Sequence, residues 1–218
     1  MKVLLVSATE AEIQIFSELI ERFEPAVPWE IQICICGVGM VPAALNMGLT
    51  LSRIRPDLVL NAGIAGAIDK TLMPGELVWV NEDSFYGFGA DSPQGFISAF
   101  EMGLISADEF PFQGGKLKAS LLPLPLQNQP IRSVKGITVQ TVHGDEAGIK
   151  KLKAIDHTAS VESMEGAAIL YAAAQMGVPA IQLRAISNYV EVRDKSKWDI
   201  PLAIRNLNQF LHSVFVNP

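Results

Sequence analysis

The chain has 218 residues, 17 basic and 23 acidic side chains, a formal net charge of -6 and an apolar fraction of 49%. A chain this apolar is not disordered, and a pI near 5.1 without a basic cluster argues against a nucleic-acid partner. Two cysteines exclude a disulfide scaffold; the length suits a single domain over residues 1–218, and the 18% of charged residues is low enough to leave room for a buried subunit contact.

Lys2–Ser7 is an apolar run that predicts a buried strand. It turns acidic at Glu10 and Glu12 without a small-residue cleavage site, so no signal peptide is expected. No run approaches the roughly 18 apolar residues of a membrane span, and the cytoplasm is the expected compartment. Glu10–Phe23 carries a helical stripe at Ile13, Phe16, Leu19, Ile20 and Phe23. Ile31–Cys36 predicts a second strand, in which Cys34 and Cys36 share a face as buried, unreactive thiols. Gly37-Val38-Gly39 leads into a helix over Val41–Ile54 with Pro42 in its first turn. Asp57–Ala62 predicts a third strand entering a small-residue loop, Gly63-Ile64-Ala65-Gly66, and Glu76–Asn81 a fourth.

Asp83–Pro130 is rich in Gly and Pro and reads as loops and inserted turns. Regularity returns with a strand over Gly136–Val142, helices over Asp145–Ile155 and Glu165–Met176, a strand over Ala180–Ser187 and a closing helix over Asp199–Val214. Alternating strands and helices predict an α/β fold with a largely parallel sheet covered on both faces. Ligands of such sheets bind beyond the carboxyl ends of strands. The segments to watch are therefore Ser7–Glu12, Gly37–Met40, Ala62–Gly66, Val142–Asp145, Val161–Glu165 and Ser187–Val190.

Gly37-Val38-Gly39 has the strand–G-x-G–helix setting of a dinucleotide site, but Pro42 stands where the third glycine belongs, which argues against a nicotinamide cofactor. His143, His157 and His212 lack metal-ligand spacing, so neither a metal nor another cofactor is expected. Thr9-x-x-Glu12 is a capping box, which by itself accounts for Glu12. Glu165 begins a helix, where a carboxylate is favoured by the helix dipole. Glu162 reads as a solvated or structural acid, Met164 as core, and Asn188 as a strand-ending turn residue.

Six segments in order nevertheless resemble one family. They are Ala8-Thr9-Glu10-Ala11-Glu12, Gly37 to Ala44, Asn61 to Gly66, His143-Gly144-Asp145, Met164-Glu165-Gly166-Ala167 and Arg184-Ala185-Ile186-Ser187-Asn188. Together they resemble the nucleoside phosphorylase and nucleosidase superfamily, closest to the methylthioadenosine/adenosylhomocysteine nucleosidases, and within that group look like the futalosine hydrolases of menaquinone synthesis. The resemblance implies a three-layer α/β/α sandwich around a mixed, mostly parallel sheet, a homodimer or larger homo-oligomer, and a purine nucleoside substrate cleaved through an oxocarbenium-like ribose. It implies that Glu12 deprotonates the attacking water, that Glu165 binds ribose hydroxyls and stabilises positive charge on the sugar, that Met164 packs beneath the sugar, that Asn188 meets N7 of the base, and that Ile64 and Ala65 contact the ligand.

Two departures from the family pattern bear on substrate. Asn188 replaces the nucleosidases' Asp; an amide donates one hydrogen bond and accepts another, which suits a 6-oxopurine such as hypoxanthine rather than adenine. The phosphorylases' phosphate-binding arginines are missing: Asn61 stands at one position, Glu10 and Glu12 near the other, and Ile64 replaces a phosphate-binding Ser. A phosphate dianion facing Glu12 without an arginine is disfavoured, so water is the expected nucleophile. The resemblance to futalosine hydrolases calls for a long apolar pocket, expected from Phe85 to Ser92 with Phe96, Phe100, Phe110 and Phe112, and for a cation at its end, with Arg193 first, then Lys195 and Lys197. Ala147 falls where related enzymes place a ring on the base, so the stacking partner is unassigned. Other purine nucleosides as substrate (methylthioadenosine, adenosylhomocysteine, inosine or aminodeoxyfutalosine) and a non-catalytic nucleoside-binding module remain as alternatives.

Overall fold

The computed structural model of the chain describes residues 1–22 and 28–216. The strands are β1 (Lys2–Ser7), β2 (Glu30–Ile35), β3 (Leu58–Ala67), β4 (Leu77–Asp83), β5 (Gly89–Ser92), β6 (Gly95–Ser98), β7 (Leu117–Lys118), β8 (Arg132–Thr138), β9 (Val161–Ser163) and β10 (Ala180–Tyr189). The helices are α1 (Glu10–Ile20), α2 (Met40–Arg53), α3 (Leu124–Gln127), α4 (Glu146–Ile155), α5 (Gly166–Gln175) and α6 (Ile200–Phe215). Phe23, the predicted end of α1, lies outside the described residues. No helix among them is long and apolar enough to cross a membrane.

The main sheet is mixed, in the order β10-β4-β8-β9-β3-β1-β2, and β10 also pairs with β3. Parallel pairings dominate, while β10–β4, β3–β9 and β4–β7 are antiparallel. β3 is long enough to serve two neighbours along one edge: Leu58–Asn61 pairs with β1, and Gly66 and Ala67 pair with β9. The whole of β3 from Val59 onward runs beside β10, so Gly63 to Gly66 is strand rather than the predicted loop. Those small residues are needed for close approach: a Cβ on Gly63 would lie 2.9 Å from Glu12 Oε1 and 3.2 Å from Arg184 Nη1. β8 begins four residues before the predicted strand and ends at Thr138, because its first half pairs with β4 although only part of it is apolar.

Alternation on β1 explains the packing. Val3 and Leu5 face Ile13 and Phe16 of α1 and Leu207, Leu211 and Val214 of α6. Leu4 and Val6 face Ala43, Met47 and Leu51 of α2 and the alanine-rich α5. Helices thus cover both faces of this strand, each fully buried Leu or Val contributing about 1.5–3 kcal/mol. The Asn208 side chain of α6 enters α1: its Oδ1 accepts from Phe16 N–H (2.8 Å) and its Nδ2 donates to the Glu12 carbonyl (2.7 Å), the two groups an i→i−4 bond would join.

A second buried polar cluster fixes the start of α5. Asp83 is fully buried; its Oδ1 accepts from Ser84 N–H (2.7 Å) and Thr138 Oγ1 (3.0 Å), and its Oδ2 from Gln182 Nε2 (3.0 Å). Thr138 Oγ1 in turn accepts from Ala167 N–H (2.7 Å), so a residue of β8 caps α5 from outside the helix. Burial pushes the Asp83 carboxyl up to about 6, against the lowering by Gln182, Thr138 and Ser84. The folded state therefore binds the Asp83 proton more tightly than the unfolded chain does. Its contribution to stability is full below about pH 4 and is lost as pH rises through about 6, a change on the order of 3 kcal/mol. Asp83→Asn mimics the protonated form. Denaturant unfolding between pH 4 and 8 should show that slope in the parent and its loss in the variant; an unchanged slope would assign the titration elsewhere.

Candidate active site

Glu12 sits in the first turn of α1, directly beyond β1. Its Oε2 accepts from Thr9 N–H (2.9 Å), Thr9 Oγ1 (3.1 Å) and Ser7 Oγ (3.0 Å), and its Oε1 accepts from Ile64 N–H (3.1 Å) of β3. The capping contact is thus made by a carboxylate that is almost wholly buried yet tied to two strands. Ile64 acts through its backbone, holding Glu12, whereas Ala65 is buried in a cluster with Val78, Val80 and Ile186.

Glu165 precedes α5 and reaches the start of α2, where its Oε1 accepts from Gly39 N–H (2.8 Å). Gly39 has φ of 90°, a conformation glycine adopts without strain, and this aims its N–H at the carboxylate. Burial raises the Glu165 pKa and the nearby Glu12 charge adds to that rise, while the Gly39 N–H and the Arg184 guanidinium lower it. Arg184 is the largest fully buried side chain; its Nη1 donates to Asn61 Oδ1 (3.0 Å) and the Leu183 carbonyl (3.1 Å) and makes no ion pair among the described residues. Arg184 Nη1 and Glu12 Oε1 both border the space beside Gly63, so they lie within about 6 Å of each other. Nothing in its local sequence signals this placement, which depends on Asn61 of β3.

Asn188 lies on β10 opposite Gly66. Ser187 Oγ donates to its Oδ1 (2.8 Å) and its Nδ2 donates to the Tyr189 carbonyl (2.9 Å), which orients the amide and leaves one N–H and one lone pair free. Met164 is partly buried against Ile137, Val139, Leu152 and Ala159, which is the core packing its residue type suggests. Glu162 is not solvated: it is 4% exposed, accepts from His143 N–H (3.0 Å) and meets His143 Nδ1. The reason is register, since β9 is enclosed between β3 and β8. Burial raises its pKa against the lowering by the His143 bonds.

Phe85 lines a cavity of about 380 Å³ with Met40, Tyr86, Phe88, Ile105, Phe112 and Tyr171. The Phe85 ring lies 6.3 Å from that of Phe112 and 6.1 Å from that of Tyr171. Met40 joins this cavity to Gly39 and hence to Glu165. Phe110 is 67% exposed and is not part of the wall; Met40, Ile105 and Tyr171 are, and only tertiary contacts bring them there. Arg193 stands apart from Phe85: its N–H donates to the Gly144 carbonyl (2.9 Å) and its guanidinium lies 4.8 Å from the Trp198 ring. Lys197 pairs with Glu191 (3.2 Å). Cys36 is buried and its thiol is pushed up to about 12, which keeps it unreactive. Among the described residues no group of three His, Cys, Asp or Glu side chains is set to hold a metal.

Carbon-13 titration of the glutamate carboxyls tests this electrostatic arrangement. Glu12→Gln should lower the Glu165 pKa and Arg184→Met should raise it; a Glu165 pKa indifferent to both would separate the three groups.

The phosphorylase superfamily matches residues 3–215 of the chain. A futalosine hydrolase of Acidothermus cellulolyticus is 33% identical over 80% of this chain and 71% of its own length. One of Streptomyces coelicolor is 31% identical over 78% of this chain and 72% of its own. In three dimensions, a 5'-methylthioadenosine/S-adenosylhomocysteine nucleosidase of Neisseria meningitidis in complex with methylthio-immucillin-A aligns with a TM-score of 0.79 at 16% identity, covering 98% of this chain and 97% of that one. The nucleosidase-like α/β fold follows from that alignment, and from the sequence matches the chain belongs to the phosphorylase superfamily and, within it, to the futalosine hydrolase family.

Proposed function

We propose that the protein hydrolyses the N-glycosidic bond of futalosine, releasing hypoxanthine and dehypoxanthine futalosine. The observation that carries this reading is the Glu12 carboxylate, held by four donors and, among the described residues, paired with no arginine. Asn61, at the phosphorylases' arginine position, spends its Oδ1 on the buried Arg184 instead. Water therefore attacks the anomeric carbon and Glu12 takes its proton. Glu165 binds the ribose hydroxyls and its charge stabilises the oxocarbenium-like sugar, with Met164 beneath that sugar.

Asn188 donates to N7 of the base, and its free N–H and lone pair match a 6-oxopurine. Ile64 and Ala65 border the ligand through the β3 backbone, the Ala65 side chain being buried on the other side. The aryl ketone occupies the cavity at Phe85, and the absence of polar side chains other than the tyrosines from that wall supports an apolar 5′ group. Arg193, which does not line that cavity, is the candidate for the ligand's carboxylate beyond it, since its guanidinium is stacked on Trp198 and has no carboxylate partner among the described residues. The whole chain is read as one three-layer α/β/α domain, supported by helix pairs on opposite faces of β1. A homodimer or larger homo-oligomer is supported by Val41, Leu45 and Leu49, exposed at helical spacing along α2 beside Val38. The cytoplasm is its proposed compartment.

Turnover of futalosine, inosine and methylthioadenosine tests the reading. Futalosine should be the preferred substrate, and Glu12→Gln should reduce its turnover by at least about 100-fold. A preference for methylthioadenosine would overturn the assignment, and full activity in Glu12→Gln would favour a different base. Asn188→Asp should move the ratio of kcat/KM values away from futalosine and toward 6-aminopurine nucleosides by about tenfold or more, as expected for exchanging one charged for one neutral hydrogen bond. An unchanged ratio would remove Asn188 from base recognition.

A further inference from the structure

Hydrolysis at this site needs a group that Asn188 cannot be. As the C1′–N9 bond breaks, its electron pair goes to the purine, and the base leaves as a neutral molecule only if a nitrogen gains a proton. An amide has no proton to give at neutral pH. The structure puts an ionisable pair close to that position. Glu162, Gly66 and Asn188 sit side by side on β9, β3 and β10. Directly registered residues of adjacent strands project to the same face. Gly66 contributes no side chain between the other two, and a Cβ there would lie 3.4 Å from Asn188 Nδ2. Glu162 and Asn188 therefore lie on one face of the sheet on either side of Gly66, with Val190 Cγ2 nearest the space above that glycine.

Glu162 spends both oxygens on His143, one on its N–H and the other on its Nδ1. The Tyr86 ring meets the imidazole edge-on, 4.8 Å away at 84°, and closes its other side. With Nδ1 fixed on a carboxylate, Nε2 is the ring's working nitrogen. Among the described residues Nε2 has no hydrogen-bond partner, and it is not one of the enclosed polar atoms left unsatisfied. It opens toward solvent from a side chain that is otherwise 9% exposed. His143 also borders Gly148 at the head of α4, with Cδ2 3.3 Å from where a Cβ would stand, and Tyr86 and Met164 pack in one cluster beside it. The titratable or charged groups around the ring are Glu162 on β9, Tyr86 after β4, Asp145 before α4, and Arg193 after β10, whose side chain packs on Gly144.

We propose that His143 is a catalytic acid for the departing purine and that Glu162 is the positioning residue that fixes its ring through Nδ1. This rests on the futalosine hydrolase reading above. The Nε2 proton of His143 passes to N7 of the base as the C1′–N9 electron pair leaves with it. The hydroxyl of the attacking water bonds to C1′, its proton goes to Glu12 and then to solvent, and the imidazole recovers a proton from solvent. Asn188 orients the same N7 edge by hydrogen bonding, and His143 supplies the charge. Glu162 acts on the reaction only through the imidazole: its carboxylate fixes the ring's orientation and leaves Nε2 as the nitrogen that meets the base.

The test is the pH profile of kcat/KM and kcat for futalosine in the parent, His143→Gln and Glu162→Gln. The parent should lose activity on the alkaline side as the imidazolium deprotonates. His143→Gln should lose about 100-fold in kcat with KM little changed and should lack that alkaline limb. Glu162→Gln should lower kcat with KM little changed while keeping the alkaline limb, since the ring is present but no longer held through Nδ1. Both proteins are compared by thermal unfolding, so a variant that fails to fold is recognised and the other carries the test. Unchanged kcat in His143→Gln, or an equal loss at every pH with the alkaline limb intact, overturns the proposal. A parent inactive on futalosine instead overturns the functional reading, so the two failures are distinct.

Discussion

Two carboxylates close together in a largely buried site repel each other and resist desolvation, and much of this fold is arranged around making Glu12 and Glu165 tolerable. Glu12 is offset by four hydrogen-bond donors from β1, α1 and β3. Glu165 has one direct donor, Gly39 N–H, and the nearby Arg184 charge. Because Arg184 is bonded to Asn61 and a backbone carbonyl rather than to either acid, it lowers the cost of both charges without neutralising either through a direct pair. A salt bridge would have taken the carboxylates out of use.

That constraint reaches into the architecture. The donors of Glu12 come from segments far apart in sequence, so β1 and β3 must be adjacent and in register for the site to exist. Asn208 braces α1 at the Glu12 carbonyl from the last helix, which ties the position of the acid to the C-terminal part of the chain. Asp83 and Thr138 do the corresponding work for Glu165 by fixing where α5 begins. Both braces are buried polar clusters with good geometry, the kind that favours one arrangement over several near alternatives.

Much of this was legible locally. β1 was predicted with its observed limits because an apolar run bounded by Lys2 and the Thr9-x-x-Glu12 cap admits no other reading. The closing helix showed itself through a stripe from Ala203 to Val214. Gly63 to Gly66 was misread because a run of small residues carries no strand signal by itself; it is strand because β10 lies alongside and Glu12 and Arg184 press against it. Of the two readings open for Glu162, a solvated or a structural acid, the structure takes the structural one, its burial being decided by strand neighbours rather than by its own residue type. Glu12, Glu165 and Asn188 were legible as an ordered set of motifs, whereas Arg184, Asn208, Asp83 and Tyr171 act through partners about 100 or more residues away, or from a helix face turned to a distant loop.

Among the described residues no cation is paired with Glu12, and the Arg184 guanidinium near it is buried and committed to Asn61, which favours hydrolysis over phosphorolysis here. Cleaving futalosine in concentrated inorganic phosphate and following the sugar product by phosphorus-31 NMR addresses this most directly. Free dehypoxanthine futalosine, with no new phosphorus resonance and a rate independent of phosphate, is the expected result. A sugar 1-phosphate formed at a rate that rises with phosphate would contradict it.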